Sequence, residues 1–390
     1  MSVYNKSGTA LSAVYDKTGT SLTTAYDKDG VVVFTSGPEP DYDEWSTEYQ
    51  HTILQARDGW KTGYRADETS IPLMFHTDQH RYLKYAGDTF QYLSQAVKWS
   101  EISAIVNLGD VCGATYSEND LNYMVSCLSP IPTAKKIGVW GNHDCEHSSS
   151  GTYSYVALTD AEFTTLKNTY FDNSGYGDGT YHCYDNRNNE YIVDKAHSIK
   201  FCVLSTWYWN AEGQVYYDPR LSYEAAEAWI AMLSAVDNYD IIVLSHIQPY
   251  YYTEWYHPAV DGEEAETLSV TADRISKVTP FTQINQLMAA RKAKTSGTLI
   301  DYDGVSHSYD FSACTSDILC CFAGHRHQDL YQWDANGTVP VIVLDAMGYD
   351  NHPFYMVNVD RTEQKVDVWK VDDSPTFYRY SVPFTKPVSS

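Results

Sequence analysis

From residue 61 onward, short apolar runs alternate with amphipathic stretches along the chain. Seven runs are rich in Val, Ile and Leu: "IPLMFHTD" (71–78), "EISAIVNLGD" (101–110), "KKIGVWGNHD" (135–144), "SIKFCVLST" (198–206), "DIIVLSHI" (240–247), "DILCCFAGH" (317–325) and "VPVIVLDA" (339–346). Their length and apolar character predict strands. Between them, "GDTFQYLSQAVKWS" (87–100), "TDAEFTTLKNTYF" (159–171), "SYEAAEAWIAMLSAV" (222–236) and "TPFTQINQLMAARKA" (279–293) carry helical spacing. Strands that alternate with helices imply an α/β domain. "PFYMVNVDRTEQKVDVWKVD" (353–372) alternates in steps of two and predicts a terminal hairpin.

The first residues follow a different rule. "VYNKSGTALSA", "VYDKTGTSLTT" and "AYDKDGVVVF" repeat, with Tyr4, Tyr15 and Tyr26 eleven residues apart. Asp-Lys-x-Gly puts glycine where a hairpin loop needs positive φ, and the flanking Thr, Val and Tyr favour extended backbone. A small β-meander is expected from Val3 to Phe34. It carries no evident chemistry, which suits a docking or assembly module. The repeats are similar to short repeats on surface and phage tail-associated proteins of gut bacteria. "TSGPEPDYDEW" then reads as linker. The expected division is a repeat module at 1–37, a linker and lead-in helix at 38–60, and the α/β domain at 61–390.

Composition narrows the function. A chain of 390 residues with 43% hydrophobic and 20% charged residues is globular, with a sizeable core. No window approaches a membrane span, and "MSVYNKSGTA" lacks the basic start and apolar stretch of a signal peptide. The expected location is cytoplasmic, or surface or phage-tail associated. A net charge of −24 argues against nonspecific nucleic-acid or anionic-membrane binding, so an anionic substrate would need local positive charge. The eight cysteines are too few for a disulfide framework in a chain this long, and Cys320 and Cys321 read as core filler.

Potential metal donors end the strands. Asp78 and His80 follow the first, Asp110 the second, and Asn142, His143 and Asp144 the third, while His246 and the pair His325 and His327 follow two others. Ligands of open α/β sheets collect beyond the carboxyl ends of strands, so these side chains should converge. Glycine before Asp110, Asn142 and His325 allows a sharp turn and close approach.

The set resembles the calcineurin-like metallophosphoesterases, whose pattern is D-x-H, G-D, G-N-H-D/E, a separate His and G-H-x-H. The resemblance spans Asp78 to His327 and implies a four-layer α/β/β/α sandwich with two metals at the sheet edge. It would place Asp78, His80 and His327 on one metal, Asn142, His246 and His325 on the other, and Asp110 between them. His143 would sit beside the phosphate, oriented by Asp144. His80 and Gly113 stand where purple acid phosphatases carry glycine and tyrosine, which disfavours that subfamily. The "GNHD" ending leans toward phosphodiesterases.

Mixed nitrogen and oxygen donors suit Mn, Fe, Zn or Ni, with Mn²⁺ the first choice. Two divalent ions, two carboxylates and a bridging hydroxide leave a formal charge of about +1, which matches one phosphodiester anion. The expected activity is hydrolysis of phosphodiester or phosphomonoester bonds by that hydroxide, with His143 donating to the leaving group. The substrate could be a bacterial-surface polymer. The competing reading is a structural or adhesive surface or virion protein that keeps the domain as a binding platform. Asp345 reads as a plain strand terminus, and His76 and His147 receive no role.

Overall fold

The structure is a computed structural model. It describes residues 69–80, 102–148, 155–204, 223–248, 282–348 and 353–387, except 114, 130, 178–179, 185–188, 302, 335 and 372–376. It also describes Trp60, Pro258 and short strands at 14–15, 21–22, 24–26, 32–35, 208–209, 215–216, 254–256 and 267–269. The linker apart from Trp60 and the helix expected at 87–100 lie outside the described residues.

Two sheets dominate the mixed α/β fold. Their strands, in chain order, are β1 (Ser70–His76), β2 (Ala104–Asn107), β3 (Lys136–Gly138), β4 (Tyr181–Cys183), β5 (Glu190–Asp194), β6 (Ile199–Leu204), β7 (Asp240–Ser245), β8 (Glu254–Tyr256), β9 (Thr267–Ser269), β10 (Ile318–Ala323), β11 (Leu330–Trp333), β12 (Pro340–Val343), β13 (Phe354–Asp360), β14 (Lys365–Val371) and β15 (Phe377–Pro383). The helices are α1 (Glu118–Leu128), α2 (Asp160–Tyr170), α3 (Tyr223–Ser234) and α4 (Thr282–Ala293).

One sheet has six strands in the order β15-β14-β13-β1-β2-β3, and the other has nine in the order β4-β5-β6-β7-β10-β12-β11-β8-β9. The central ladders β1-β2-β3 and β6-β7-β10-β12 are parallel. Most of these strands are buried on both faces, as their near-continuous apolar sequences require, whereas β3 at the sheet edge is only partly buried.

Side-chain parity assigns the faces. Leu73, Phe75, Val106, Phe201, Val203, Ile242, Leu244, Phe322 and Val357 share one core between the sheets, where the Phe75 and Phe322 rings lie 4.3 Å apart. Alternate residues, among them Met74, Ile105, Cys202, Val243 and Cys321, pack instead with the apolar sides of the helices, including Leu121, Phe163, Trp229 and Leu287. The packing is consistent with the expected four-layer order. Cys320 and Cys321 are fully buried, and all eight cysteines are free. Among the described residues no helix is long and apolar enough to cross a membrane.

Near the N-terminus, Val14–Tyr15 pairs with Ser21–Leu22 and Thr24–Tyr26 pairs with Val32–Thr35, both antiparallel. Helix α1 and strand β15 were not anticipated. Only Leu121 and Met124 of α1 are buried, so its apolar spacing is faint. Ser117 caps it by accepting the N–H of Asp120. By contrast, α2 announces itself with a capping box in which Thr159 and Glu162 satisfy each other's backbone N–H groups.

Candidate metal centre

The chain turns sharply as it leaves each strand. Nine described residues other than glycine have positive φ, and five of them are Asp78, His80, Asp110, His325 and His327. Left-handed backbone is uncommon outside glycine, even though Asp and His tolerate it better than most, and its concentration at one place marks a site where geometry outweighs that cost. The turns interlock: Asp78 N–H donates to Gly109 O at 2.8 Å, His80 N–H to Asp110 O at 3.1 Å, and Gly324 N–H to His246 O at 2.9 Å.

Two glycines make room. A Cβ on Gly141 would lie 2.0 Å from Asp110 Oδ1, and one on Gly324 would lie 2.1 Å from Thr77 Oγ1 and 2.5 Å from Asp78 Oδ2. The close approach expected from the sequence is therefore a steric necessity at both positions.

The side chains form three overlapping groups: Asp78, His80 and His327; His80, Asp110 and His143; and Asp110, His246 and His325. Within each, one donor atom per residue lies within 4.8 Å of the others. His327 Nε2 is 3.2 Å from Asp78 Oδ1 and 2.9 Å from His80 Nε2. Two imidazole nitrogens this close need a proton or cation between them. His246 Nε2 lies 3.1 Å from Asp110 Oδ2. Asn142 Oδ1 lies 3.2 Å from His246 Nε2 and 3.1 Å from His325 Nδ1. His246 Nδ1 is 2.7 Å from the carbonyl oxygen of Leu108, which fixes the ring and turns Nε2 toward the cluster. This mixture of imidazole nitrogen, carboxylate and amide oxygen fits divalent transition metals.

The charges are strongly linked. Burial works to raise the Asp78 carboxyl, but His246, His327 and His80 outweigh it and hold it well below the usual carboxylate range. Burial opposes ionisation of Asp110 too, yet His246 and His143 bring it down to about 2. His246 is raised to about 9: burial disfavours its charge, but Asp110 and Asp78 more than compensate. Burial and the charge of His246 lower His325 to about 4.

Asp144 has a role that the sequence did not suggest. Its carboxylate accepts the N–H groups of Asp110, Val111, Cys112 and Gly141 at 2.9–3.0 Å. It thus holds the Asp110 turn against the Gly141 turn. Burial raises its carboxyl, an effect that the backbone donors oppose. Thr77 and Asn107 also escaped the sequence reading. Thr77 Oγ1 donates to Asp78 Oδ2 at 2.6 Å, and Asn107 Oδ1 accepts the Gly109 N–H at 2.8 Å. Their positions beside Asp78 and Gly109 were the only signal. His76 is buried and bonded to Gln79, and burial lowers its pKa to about 3. Asp345 is more than a strand terminus, since its Oδ2 pairs with Lys370 Nζ at 2.9 Å.

The family model of calcineurin-like phosphoesterases matches residues 71–273, just over half of the chain. The chain belongs to this family. A calcineurin-like phosphoesterase is a phosphoric ester hydrolase that depends on metal, and this chain carries His and Asp groups placed to hold metal ions. His325 and His327 lie beyond the matched stretch, so it is the fold that brings them to the other donors.

No curated protein matches the chain. Three solved structures are distant likenesses. A conserved uncharacterized protein, a predicted phosphoesterase from Streptococcus pneumoniae TIGR4, is 8% identical, with 80% of this chain and 98% of that one covered and a TM-score of 0.29. GAP50, the anchor in the inner membrane complex of Plasmodium, is 11% identical, with 82% and 90% covered and a TM-score of 0.37. Phosphopantetheinyl hydrolase from Mycobacterium tuberculosis is 12% identical, with 71% and 90% covered and a TM-score of 0.36. These likenesses are too remote to bear on function.

Proposed function

We propose that the chain is a phosphodiesterase with a dinuclear metal centre. One ion would be held by Asp78, His80 and His327, the other by Asn142, His246 and His325, with Asp110 shared. The observation that carries this reading is that six of the seven donors, from both sheets, fall in overlapping groups linked through His80 and Asp110, while the seventh, Asn142, lies against His246 and His325. Divalent ions here, Mn²⁺ by first choice, would supply Lewis acidity toward phosphoryl oxygens and acidify water for attack.

The chain's own residues supply the rest. His143 is a quarter exposed beside the buried Asp110 and His80, so its ring can meet a substrate. Its imidazole suits contact with a phosphoryl oxygen or proton donation to a departing alkoxide. Asp144 keeps Asp110 in place through the backbone. Preference for a diester rests on the Asp in "GNHD" and on the single positive charge left at a dinuclear site. The repeat module at 1–37 serves assembly or docking, the domain at 61–390 carries the chemistry, and a bacterial-surface phosphodiester is the candidate substrate.

Turnover of bis-p-nitrophenyl phosphate and p-nitrophenyl phosphate by metal-stripped protein, before and after Mn²⁺ is added, tests the reading. Metal-dependent hydrolysis with the diester faster is expected. Two bound ions without hydrolysis of either ester would refute it.

A further inference from the structure

Each candidate ion position draws on both sheets. Asp78, His80, Asp110 and Asn142 follow β1, β2 and β3 of the six-stranded sheet, whereas His246, His325 and His327 follow β7 and β10 of the nine-stranded sheet. The spacing of the sheets at this end therefore sets the distances between donors. Deeper in the molecule that spacing is set by apolar packing, but beside the site a polar clamp takes over.

Lys370, on β14 of the six-stranded sheet, reaches across to Asp329 Oδ2 at 2.8 Å and Asp345 Oδ2 at 2.9 Å. These carboxylates follow β10 and β12 of the other sheet. Tyr355, opposite Lys370 on β13, donates its hydroxyl to Asp329 Oδ1 at 2.7 Å and accepts the Asp345 N–H at 2.9 Å. Burial disfavours the ammonium of Lys370, but the two carboxylates outweigh it and keep it charged.

Both arms of the clamp lead to candidate ligands. Asp329 is two residues beyond His327. Asp345 begins the segment in which Met347 N–H donates to Thr77 O at 2.9 Å and Gly348 N–H to Asp78 O at 2.8 Å. Removing the cation would leave two carboxylates facing each other beside the turn that carries His327, and such a pair relaxes by moving apart.

We infer that Lys370, aided by Tyr355, is a positioning residue of the metal centre: by tying Asp329 and Asp345 to the opposite sheet it sets the spacing at which His327 meets Asp78 and His80. The inference rests on the dinuclear reading and assigns the clamp to one of its two ions.

Competition between a fluorescent chelator and metal-stripped full chain for Mn²⁺ separates the possibilities. Wild-type protein should bind two ions. Lys370→Met should hold one at wild-type affinity and bind the other roughly 10- to 100-fold more weakly, the usual effect of losing a group that orients a ligand. Lys370→Arg should restore the second ion. Wild-type affinity for both ions in Lys370→Met overturns the inference, and so does equal weakening of both, which would make the clamp a general stabiliser. Wild-type protein that binds no divalent ion removes the metal reading itself and the inference with it. Should Lys370→Met fail to fold, Tyr355→Phe, which keeps both ion pairs, decides by the same criterion with a smaller loss.

Discussion

The N–H of His143 donates to Asp110 Oδ1 at 2.9 Å, while the imidazole of the same residue sits 3.8 Å from Asp110 Oδ2. The two residues are joined through backbone first and side chain second. Truncation of His143 to alanine keeps the backbone donor, so it removes the ring without releasing Asp110.

That separation yields a paired expectation. Asp110→Ala should lose metal and activity together, because it deletes the carboxylate proposed to be shared by both cations, to which His143 N–H and His246 are also held. His143→Ala should keep its metal while turnover falls about 10²- to 10⁴-fold. The defect should shrink with p-nitrophenol as leaving group and grow with an alkyl alcohol. Metal analysis with kinetics on both esters checks this. An equal defect with both leaving groups would reduce His143 to a phosphate-binding residue, and metal loss would show that it is a ligand.

Gly324→Ala should impair metal binding more than folding. Its Cβ would be driven into Thr77 Oγ1 and Asp78 Oδ2 at the edge of the site, and backbone holds Gly324 to His246 O. The expected result is a weaker ion at Asp78 with little change in far-UV circular dichroism, read by metal titration alongside the spectrum. Unaltered metal affinity would mean that the turn yields more readily than its interlocked hydrogen bonds suggest.

Deleting Met1 to Gly37 should leave turnover of a small phosphodiester near that of the full chain, since every proposed ligand lies beyond residue 77. Side-by-side kinetics of the two proteins decides it. Collapse of activity in a folded deletion protein would show that the repeats complete the site or an essential oligomer.

His307 gives a pH dependence away from the metal centre. Its ring lies 2.8 Å from Asp301 Oδ2 and 2.5 Å from Glu227 Oε1. Burial works against its charge, but the hydrogen bonds to Asp301 and Glu227 outweigh this and raise its pKa. The folded value exceeds the unfolded value of about 6.5, so the contribution is fully present below that pH and is lost as pH rises through the folded value. Asp301 has the opposite sign: burial works to raise it, but His307 and its other donors lower it, and its contribution is lost in acid. Between pH 5.5 and 8.5, wild-type protein should lose more stability in urea titrations than His307→Gln. Equal losses would deny the imidazolium a stabilising role.

Much of the site was legible because its chemistry is punctuated. A strand that stops at Gly-Asp or Gly-His announces a turn and a candidate donor together; the turns are present at Asp110 and His325, whose side chains fall in one group that could hold a metal. Period-two alternation likewise revealed β13 and β14. The clamp was not legible. Lys370 lies inside an alternating strand and Asp345 at a strand end, where both look like ordinary polar residues, and nothing local shows that the two sheets bring them within 2.9 Å. Asp144 was legible only in part, for a related reason. Its place beside His143 suggested a side-chain partner, but the donors that fill its oxygens are backbone groups, which every sequence possesses and none displays.

The distribution of donors over both sheets has a consequence for how the chain acquires its ions. His327 meets Asp78 across 249 positions, and neither proposed ion has all its ligands in one sheet. A nascent or half-folded chain thus offers only fragments of a binding site, each too weak to compete for scarce metal. On the proposed reading, loading is a late event that reports completed assembly, and a bound ion would cross-link β1 to β10 across the 249 positions that separate Asp78 from His327. Loss of metal should accordingly be felt as looser breathing between the sheets, and amide exchange in β1 and β10 would register it before any strand unravels.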